Sequence, residues 1–402
     1  MTATRAGGTP AGAPRGLIPS LVGVRGVLAA VVVAVHLAPY ASALAPVSAP
    51  VWDAVWRHGY ISVDVFFVLS GYVLTSRYRV VFARWPGWPN VGRYLWARLS
   101  RFFPVHLAVL VALVAAVAFG KAVGVAVPHG GDLGVDLARN LSLTQGWGGA
   151  HALTWNGPAW SLSAVWFCYL IFPVVLPLVV RVRSGRGAII AYLFVVAAPL
   201  VAYSFLGFDD AEITYRAPLF RAVGDFVGGA MLCRLTHVGS RLAPWAGRCT
   251  GMITGLSLAA LALLAVLGAS ALFVVPLAGL IILALGEQRG RLNALLSSKP
   301  LLRSGEVSVS LFFTHVPWLL AAALVITPAR FPGVWGWVAI LLLVAGAVAT
   351  AYATRAVIEV PAQRLMGRLV DRPRQAPTLP VDRRTAVAAG PPSTDRPSRA
   401  AP

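Results

Sequence analysis

The sequence predicts an all-α integral membrane protein of about ten transmembrane helices. Three observations carry that prediction. Hydrophobic residues make up 58% of the 402-residue chain, charged residues only 12%, and the mean hydropathy is +0.74. A soluble domain is about a quarter charged. The apolar residues fall in continuous runs of roughly 15–20, long enough to cross a bilayer as helices and unlike the short alternating segments of a transmembrane barrel. The basic residues gather in alternate loops, as the positive-inside rule requires.

The apolar runs place spans at 17–38, 59–77, 102–120, 157–180, 187–206, 217–236, 250–268, 270–286, 307–326 and 334–356. With a cytoplasmic N-terminus, the inner loops carry Arg77, Arg79, Arg84, Arg93, Arg98, Arg101, Arg181, Arg183, Arg186, Arg234, Arg241, Arg248, Arg289, Arg291, Lys299 and Arg303. The outer loops carry only Arg57, Lys121, Arg139, Arg216 and Arg330. Both termini are therefore expected in the cytoplasm. The seventh and eighth spans are joined by little more than Gly268 and Ala269. Residues 1–16 read as a short disordered arm, 17–372 as the membrane domain, and 373–402, rich in Pro, Ala, Ser and Arg, as a disordered cytoplasmic tail. The first apolar run is long and holds Arg25, so no cleavable leader is expected.

The +20 net charge is a topology signal on this reading, and nucleic acid is not an expected partner. Basic inner loops also suit anionic lipid heads or a phosphorylated ligand from the cytoplasm. Cys168, Cys233 and Cys249 follow no metal spacing, so neither a disulfide nor a metal site is expected. Among 34 basic residues only Lys121 and Lys299 are Lys, and Ala, Val and Gly are abundant. That bias points to a high-GC bacterial genome, hence a bacterial plasma membrane.

The first span carries Arg25 and His36, eleven residues or about three helical turns apart. They lie on one face, about 16 Å apart along the axis. Ionisable residues inside a membrane helix are expensive and mark a polar pathway by default. The second span opens GYISVDVFFVLSGYVLT, with Asp64 at a depth similar to His36. A carboxylate beside an imidazole fixes its tautomer and supports a general base; a structural polar pair closing two helix ends is the alternative. RLSRFFP puts Arg98 and Arg101 three apart at the inner surface, suited to gripping a phosphate or simply to anchoring the helix. His106 follows as a hydrogen-bonded packing residue.

Asn156, Trp160, Ser161 and Ser163 cluster at the outer end of the fourth span, either as substrate contacts or as an interfacial cap. In the ninth span SVSLFFTHVP holds His315 near the bilayer middle, with Pro317 placed to kink the helix and free backbone carbonyls. Glu359 is expected to pair with an Arg. The outer loop 121–156, with His129, Asp132, Asp136, His151 and Trp155, is either a cover for the outer mouth or a plain exposed loop.

These elements, in this order, resemble the membrane acyltransferase-3 family over nearly all of residues 17–365. The resemblance rests on Arg25 and His36, the segment with Asp64 and Gly71, RLSRFFP with Arg98, Arg101 and Pro104, WSLS at 160–163, the segment with His315, and IEVP with Glu359 and Pro361. It implies ten helices around an intramembrane cavity. It also implies an acyl-CoA donor, most simply acetyl-CoA, and a carbohydrate or small-molecule acceptor. By resemblance, His36 is the base or transient acyl carrier and Asp64 orients the site. Arg25 contacts the donor or stabilises the oxyanion. Arg98 and Arg101 hold CoA phosphates. Apart from the resemblance, Asn156, Trp160, Ser161 and His315 are the candidate acceptor-binding residues. Many members carry an acid two positions after the second Ser of WSLS, where this chain has Val165. That departure keeps two other expectations in view: a transporter or flippase of a polar lipid or glycoside, and a catalytically impaired acyl-CoA-binding relative.

Overall fold

A computed structural model describes residues 18–124, 134–148, 153–207, 217–268 and 270–370. The predicted arm 1–16 and tail 373–402 lie outside the described residues, as do His129, Asp132, His151 and Arg216. Every regular element among the described residues is helical. In chain order the α-helices are α1 (Pro19–Leu44), α2 (Ala49–His58), α3 (Ile61–Tyr78), α4 (Trp88–Ala122), α5 (Val135–Ser142), α6 (Trp160–Arg181) and α7 (Gly185–Leu206). They continue as α8 (Pro218–Leu235), α9 (Leu242–Arg248), α10 (Thr250–Val266), α11 (Val275–Gly286), α12 (Gly290–Leu296), α13 (Lys299–Ala323), α14 (Trp335–Thr354) and α15 (Val360–Val370).

Six helical stretches among the described residues are long and apolar enough to cross a membrane, and up to nine if each bent pair counts as one span. The six are α1, α4, α6, α7, α13 and the stretch from α14 through α15. The bent pairs join α2 to α3 at 41°, α9 to α10 at 83°, and α11 to α12 at 83°. The sixth predicted span, 217–236, coincides with α8, which carries Arg221, Asp225 and Arg234 and so is more charged than a simple lipid-facing helix. The protein is thus an all-helical, multi-pass membrane protein. Its outward faces bear large apolar side chains such as Phe194, Phe205, Leu258 and Leu341, which in a bilayer meet lipid.

Two close helix pairs position the site. α1 and α13 run parallel, with Gly26 against Gly305 toward their N-terminal ends and His36 against His315 toward their C-terminal ends. A methyl group on Gly305 would collide with the carbonyl of Val22, so only glycine lets the two backbones approach this closely. α3 and α8 are parallel too, with Asp64 beside Arg221 and Gly71 against the backbone of Phe226. Parallel first and ninth spans, and parallel second and sixth, agree with strict alternation across the membrane. Phe172 and Phe226 anchor the packing of α6 on α8, their ring centroids 5.8 Å apart.

Candidate active site

A cavity of about 390 Å³ opens among α1, α3, α4, α6 and α13. On α3 its wall runs from Val63 to Arg77, fourteen residues or about 21 Å of helix. One end is cationic, with Arg25, Arg77, Arg98 and Arg101. The rest is lined by Phe66, Phe67, Leu162, Phe312 and Phe313, with Ser161 as a polar group.

The cations reach this wall because of where their helices begin and end. Arg98 and Arg101 sit three residues apart on one face of α4, just before Phe102. The Arg98 guanidinium lies over the Tyr78 ring, 5.9 Å from its centroid, and its Nε is buried without a hydrogen-bond acceptor. A buried unsatisfied donor of this kind is what an anion would complete. Arg25 donates to Ser308 Oγ across the α1–α13 contact, 3.1 Å away. Two carboxylates moderate the charge. Glu306 lines the cavity and pairs with Arg355 at 3.2 Å. Glu359 is held by a single π-helical turn, Arg355–Glu359, and accepts from Ser310 Oγ at 2.6 Å, from Gln363 at 3.2 Å and from Arg355 at 3.4 Å. The expected Glu359–Arg pair is therefore present. Gln363 of α15 also donates to the carbonyl of Arg101, so the last helix closes against the cationic end.

Both ionisable groups of α1 face α13, as their spacing predicts. His315 Nε2 lies 3.3 Å from His36 Nδ1, and the rings meet edge to face with centroids 5.0 Å apart. Each imidazole also touches the carbonyl one turn back on its own helix: His36 Nδ1 and Val32 O at 2.9 Å, His315 Nδ1 and Leu311 O at 3.0 Å. Phe312 lines the cavity and packs on the His315 ring at 6.1 Å, so cavity and imidazole pair share that side chain as a wall.

Two expected assignments shift. Asp64 does not support His36. Its carboxylate lies 3.3 Å from the Arg221 guanidinium, with Asp225 buried one turn further along α8. Trp160 covers this cluster, its ring 5.1 Å from the Arg221 guanidinium carbon. A buried Arg attracts both nearby carboxylates more strongly than a neutral imidazole can, which is why Asp64 turns to α8. Arg25 does not reach the imidazole pair either. Its partner Ser308 lies seven residues before His315, about 10 Å along α13. Arg25 belongs with Arg98 and Arg101 and not with an oxyanion at His36.

The outer-end cluster divides into cavity wall and scaffold. Ser161 lines the cavity. Ser163 accepts from the Gly146 N–H and donates to the Leu143 carbonyl, fixing the loop above α6. Asn156 donates to the carbonyl of Phe313 on α13 at 3.0 Å. Trp155, just before it, has a left-handed φ of 57°, an uncommon state for a bulky residue that turns the chain so that Asn156 points into the bundle. His106 donates through Nε2 to the Asn140 carbonyl, as a packing histidine does. Val165 lines the cavity where the resemblance leads one to expect an acid, so that wall is apolar. The Arg221–Asp225 half of the buried cluster escaped the sequence reading. Its signal was there, in two opposite charges four residues apart inside an apolar run.

Fold and site together define a membrane protein with a cation-lined intramembrane cavity beside a pair of imidazoles. The family model for the acyltransferase domain of the acyltransferase-3 type matches residues 18–355, and the chain belongs to that family. It is similar to acyltransferase MdmB of Streptomyces mycarofaciens, 32% identical over 130 residues, which is 32% of this chain and 31% of that one. The matched part thus spans about a third of that relative's length. No solved structure matches the chain significantly.

Proposed function

We propose that the protein is an integral membrane acyltransferase that moves an acyl group, most simply acetyl, from acyl-CoA to a hydroxyl of a carbohydrate or other small-molecule acceptor. The observation that carries the proposal is the polarity of one cavity. Four guanidiniums stand at one end, and its aromatic end shares Phe312 with the His36–His315 pair. A donor with a phosphorylated head and a long thin arm fits such a channel. Arg98 and Arg101, with Arg77 and Arg25 beside them, hold the phosphates. The pantetheine arm follows α3 outward, and the thioester is presented toward His36 once the Phe312 ring turns aside.

His36 takes the proton of the acceptor hydroxyl as the oxygen attacks the thioester carbonyl. The tetrahedral adduct then expels the thiolate, which recovers the proton from His36. General-base assistance contributes roughly 10²–10⁴-fold, and alignment of donor and acceptor supplies much of the rest. The setting is a bacterial plasma membrane, with both termini and the cationic mouth on the cytoplasmic side. The membrane domain is assigned to residues 17–372.

The test is a comparison of cell-envelope glycans and small metabolites by mass spectrometry, with the gene intact, deleted, and restored as wild type or His36→Ala. The expected result is loss of one acyl mass on deletion, returned by wild type and not by His36→Ala at equal membrane abundance. Full return by His36→Ala would sink the role given to that residue. CoA titration of the purified protein separates acyl transfer from transport, because a ligand that binds the folded state raises its thermal stability by mass action. Folded protein that shows no shift at saturating CoA would favour a transporter.

A further inference from the structure

We infer that His315 is a positioning residue: its bare Nε2 accepts the Nδ1–H of His36, holding His36 in the tautomer whose own Nε2 is free to take a proton. The catalytic half of this inference rests on the acyl-transfer reading above, and the tautomer does not.

The assignment follows from which atoms can only accept. A backbone carbonyl has no proton to give. His315 Nδ1 faces Leu311 O at 3.0 Å, so that nitrogen carries the hydrogen. None of the hydrogen-bond partners of His315 is a carboxylate, and a neutral imidazole has one N–H, so His315 Nε2 is bare. That bare nitrogen lies 3.3 Å from His36 Nδ1, which must therefore be the donor. Val32 O, 2.9 Å from the same His36 nitrogen, is a second acceptor for that hydrogen. The single hydrogen of His36 is thus shared between two acceptors on Nδ1, and His36 Nε2 keeps its lone pair.

This gives His315 the work that a carboxylate does in a Ser-His-Asp arrangement: it fixes the tautomer and stabilises the imidazolium. In the reaction the acceptor O–H bond breaks and its proton moves to His36 Nε2. The Nδ1–H of the resulting cation bonds more strongly to His315. The proton then leaves Nε2 for the departing thiolate, and His315 changes protonation at no stage. The glycine contact of α1 with α13 sets the spacing, because Gly26 and Gly305 bring the backbones together ten residues below the two imidazoles.

The test combines solid-state NMR with kinetics on protein labelled with ¹⁵N-histidine in lipid bilayers, His36 being assigned by the signals lost in His36→Asn. The expected wild-type pattern is a protonated Nδ1 and a bare Nε2 at His36. In His315→Phe the opposite tautomer should grow. Turnover should fall by about 10–100-fold, the range typical of lost second-sphere support to a histidine, with KM for acyl-CoA unchanged within about twofold. His315→Asn offers a side-chain carbonyl as acceptor and should recover most of both readouts. A protonated Nε2 in the wild type, or a His36 pattern unchanged in folded His315→Phe, would overturn the inference. So would equal turnover in the Phe and Asn variants. The expected NMR pattern in a protein that turns over no acyl-CoA supports the tautomer and rejects the acyl-transfer reading.

Discussion

Asn156 donates its side-chain amide to the carbonyl of Phe313, 3.0 Å away, and Phe313 lies four residues before Pro317. The two facts are connected. Pro317 has no N–H, so in α13 the Phe313 carbonyl lacks its intrahelical donor. In hydrocarbon that acceptor has no water to turn to. Asn156 reaches across from the turn before α6 and satisfies it. Asn156→Ala should therefore lower the unfolding free energy by about 1–3 kcal/mol, the range for a buried polar group left unsatisfied. Pro317→Ala restores the helical N–H. In that background Asn156→Ala should have little effect, as read by thermal unfolding of the four proteins in lipid nanodiscs. Equal losses in both backgrounds would show that Asn156 acts elsewhere.

That pair also marks how far the sequence could be read. The freed carbonyl was legible, because Pro317 sits inside an apolar helix. Its partner was not, since Asn156 and Phe313 are 157 residues apart and only tertiary packing joins them. Likewise the one-face spacing of Arg25 and His36 predicted that both look the same way, and both do face α13. The identity of the facing groups, Ser308 and His315, depends on the register of two parallel helices. That register is set by Gly26 and Gly305, whose lack of side chains carries no periodic signal. Asp64 was legible as a costly buried charge but was matched to the wrong partner. A similar depth along the membrane normal does not say which neighbouring helix a side chain turns to.

The Gly305 contact is itself testable. Gly305→Val should destabilise the bundle by about 1–3 kcal/mol, the usual range for overpacking a closed site. It should also reduce turnover by separating the imidazoles. Adding Val22→Ala should give no relief, because the nearest obstacle to a new side chain is the Val22 carbonyl and not its methyl groups. Recovery of stability in the double variant would show that the contact is looser than described.

The cationic mouth predicts a separation of binding from chemistry. Hydrogen bonds to charged groups contribute about 1.5–3 kcal/mol each, so Arg98→Ala with Arg101→Ala should raise KM for acyl-CoA by at least about tenfold. The same variant should lose the thermal shift produced by CoA. His36→Ala should keep that shift and lose turnover. Lys in place of either Arg keeps the charge and not the planar fork, and should restore the shift only in part. A full CoA shift in the double Ala variant would move the phosphate site away from α4.

The cluster of Asp64, Arg221 and Asp225 distinguishes structural from catalytic burial. Relative exposures are 0%, 2% and 4%, so these groups are withdrawn from bulk solvent. Arg221 lies 3.3 Å from Asp64, and its guanidinium is the cation that compensates buried carboxylate charge here. Arg221→Leu strands that carboxylate and should cost about 3–5 kcal/mol, as breaking one side of a buried ion pair does. Adding Asp64→Asn removes the stranded charge and should return most of the stability. Asp225→Asn alone should be mild, since it keeps the size of the side chain and leaves the Asp64–Arg221 pair in place. Turnover should follow stability through the series, because Asp64 is committed to Arg221 and the tautomer of His36 depends on His315. If the Arg221→Leu, Asp64→Asn double variant regains wild-type thermal stability in nanodiscs and still transfers no acyl group, then Asp64 acts on the chemistry directly and its pairing with Arg221 is only part of its role.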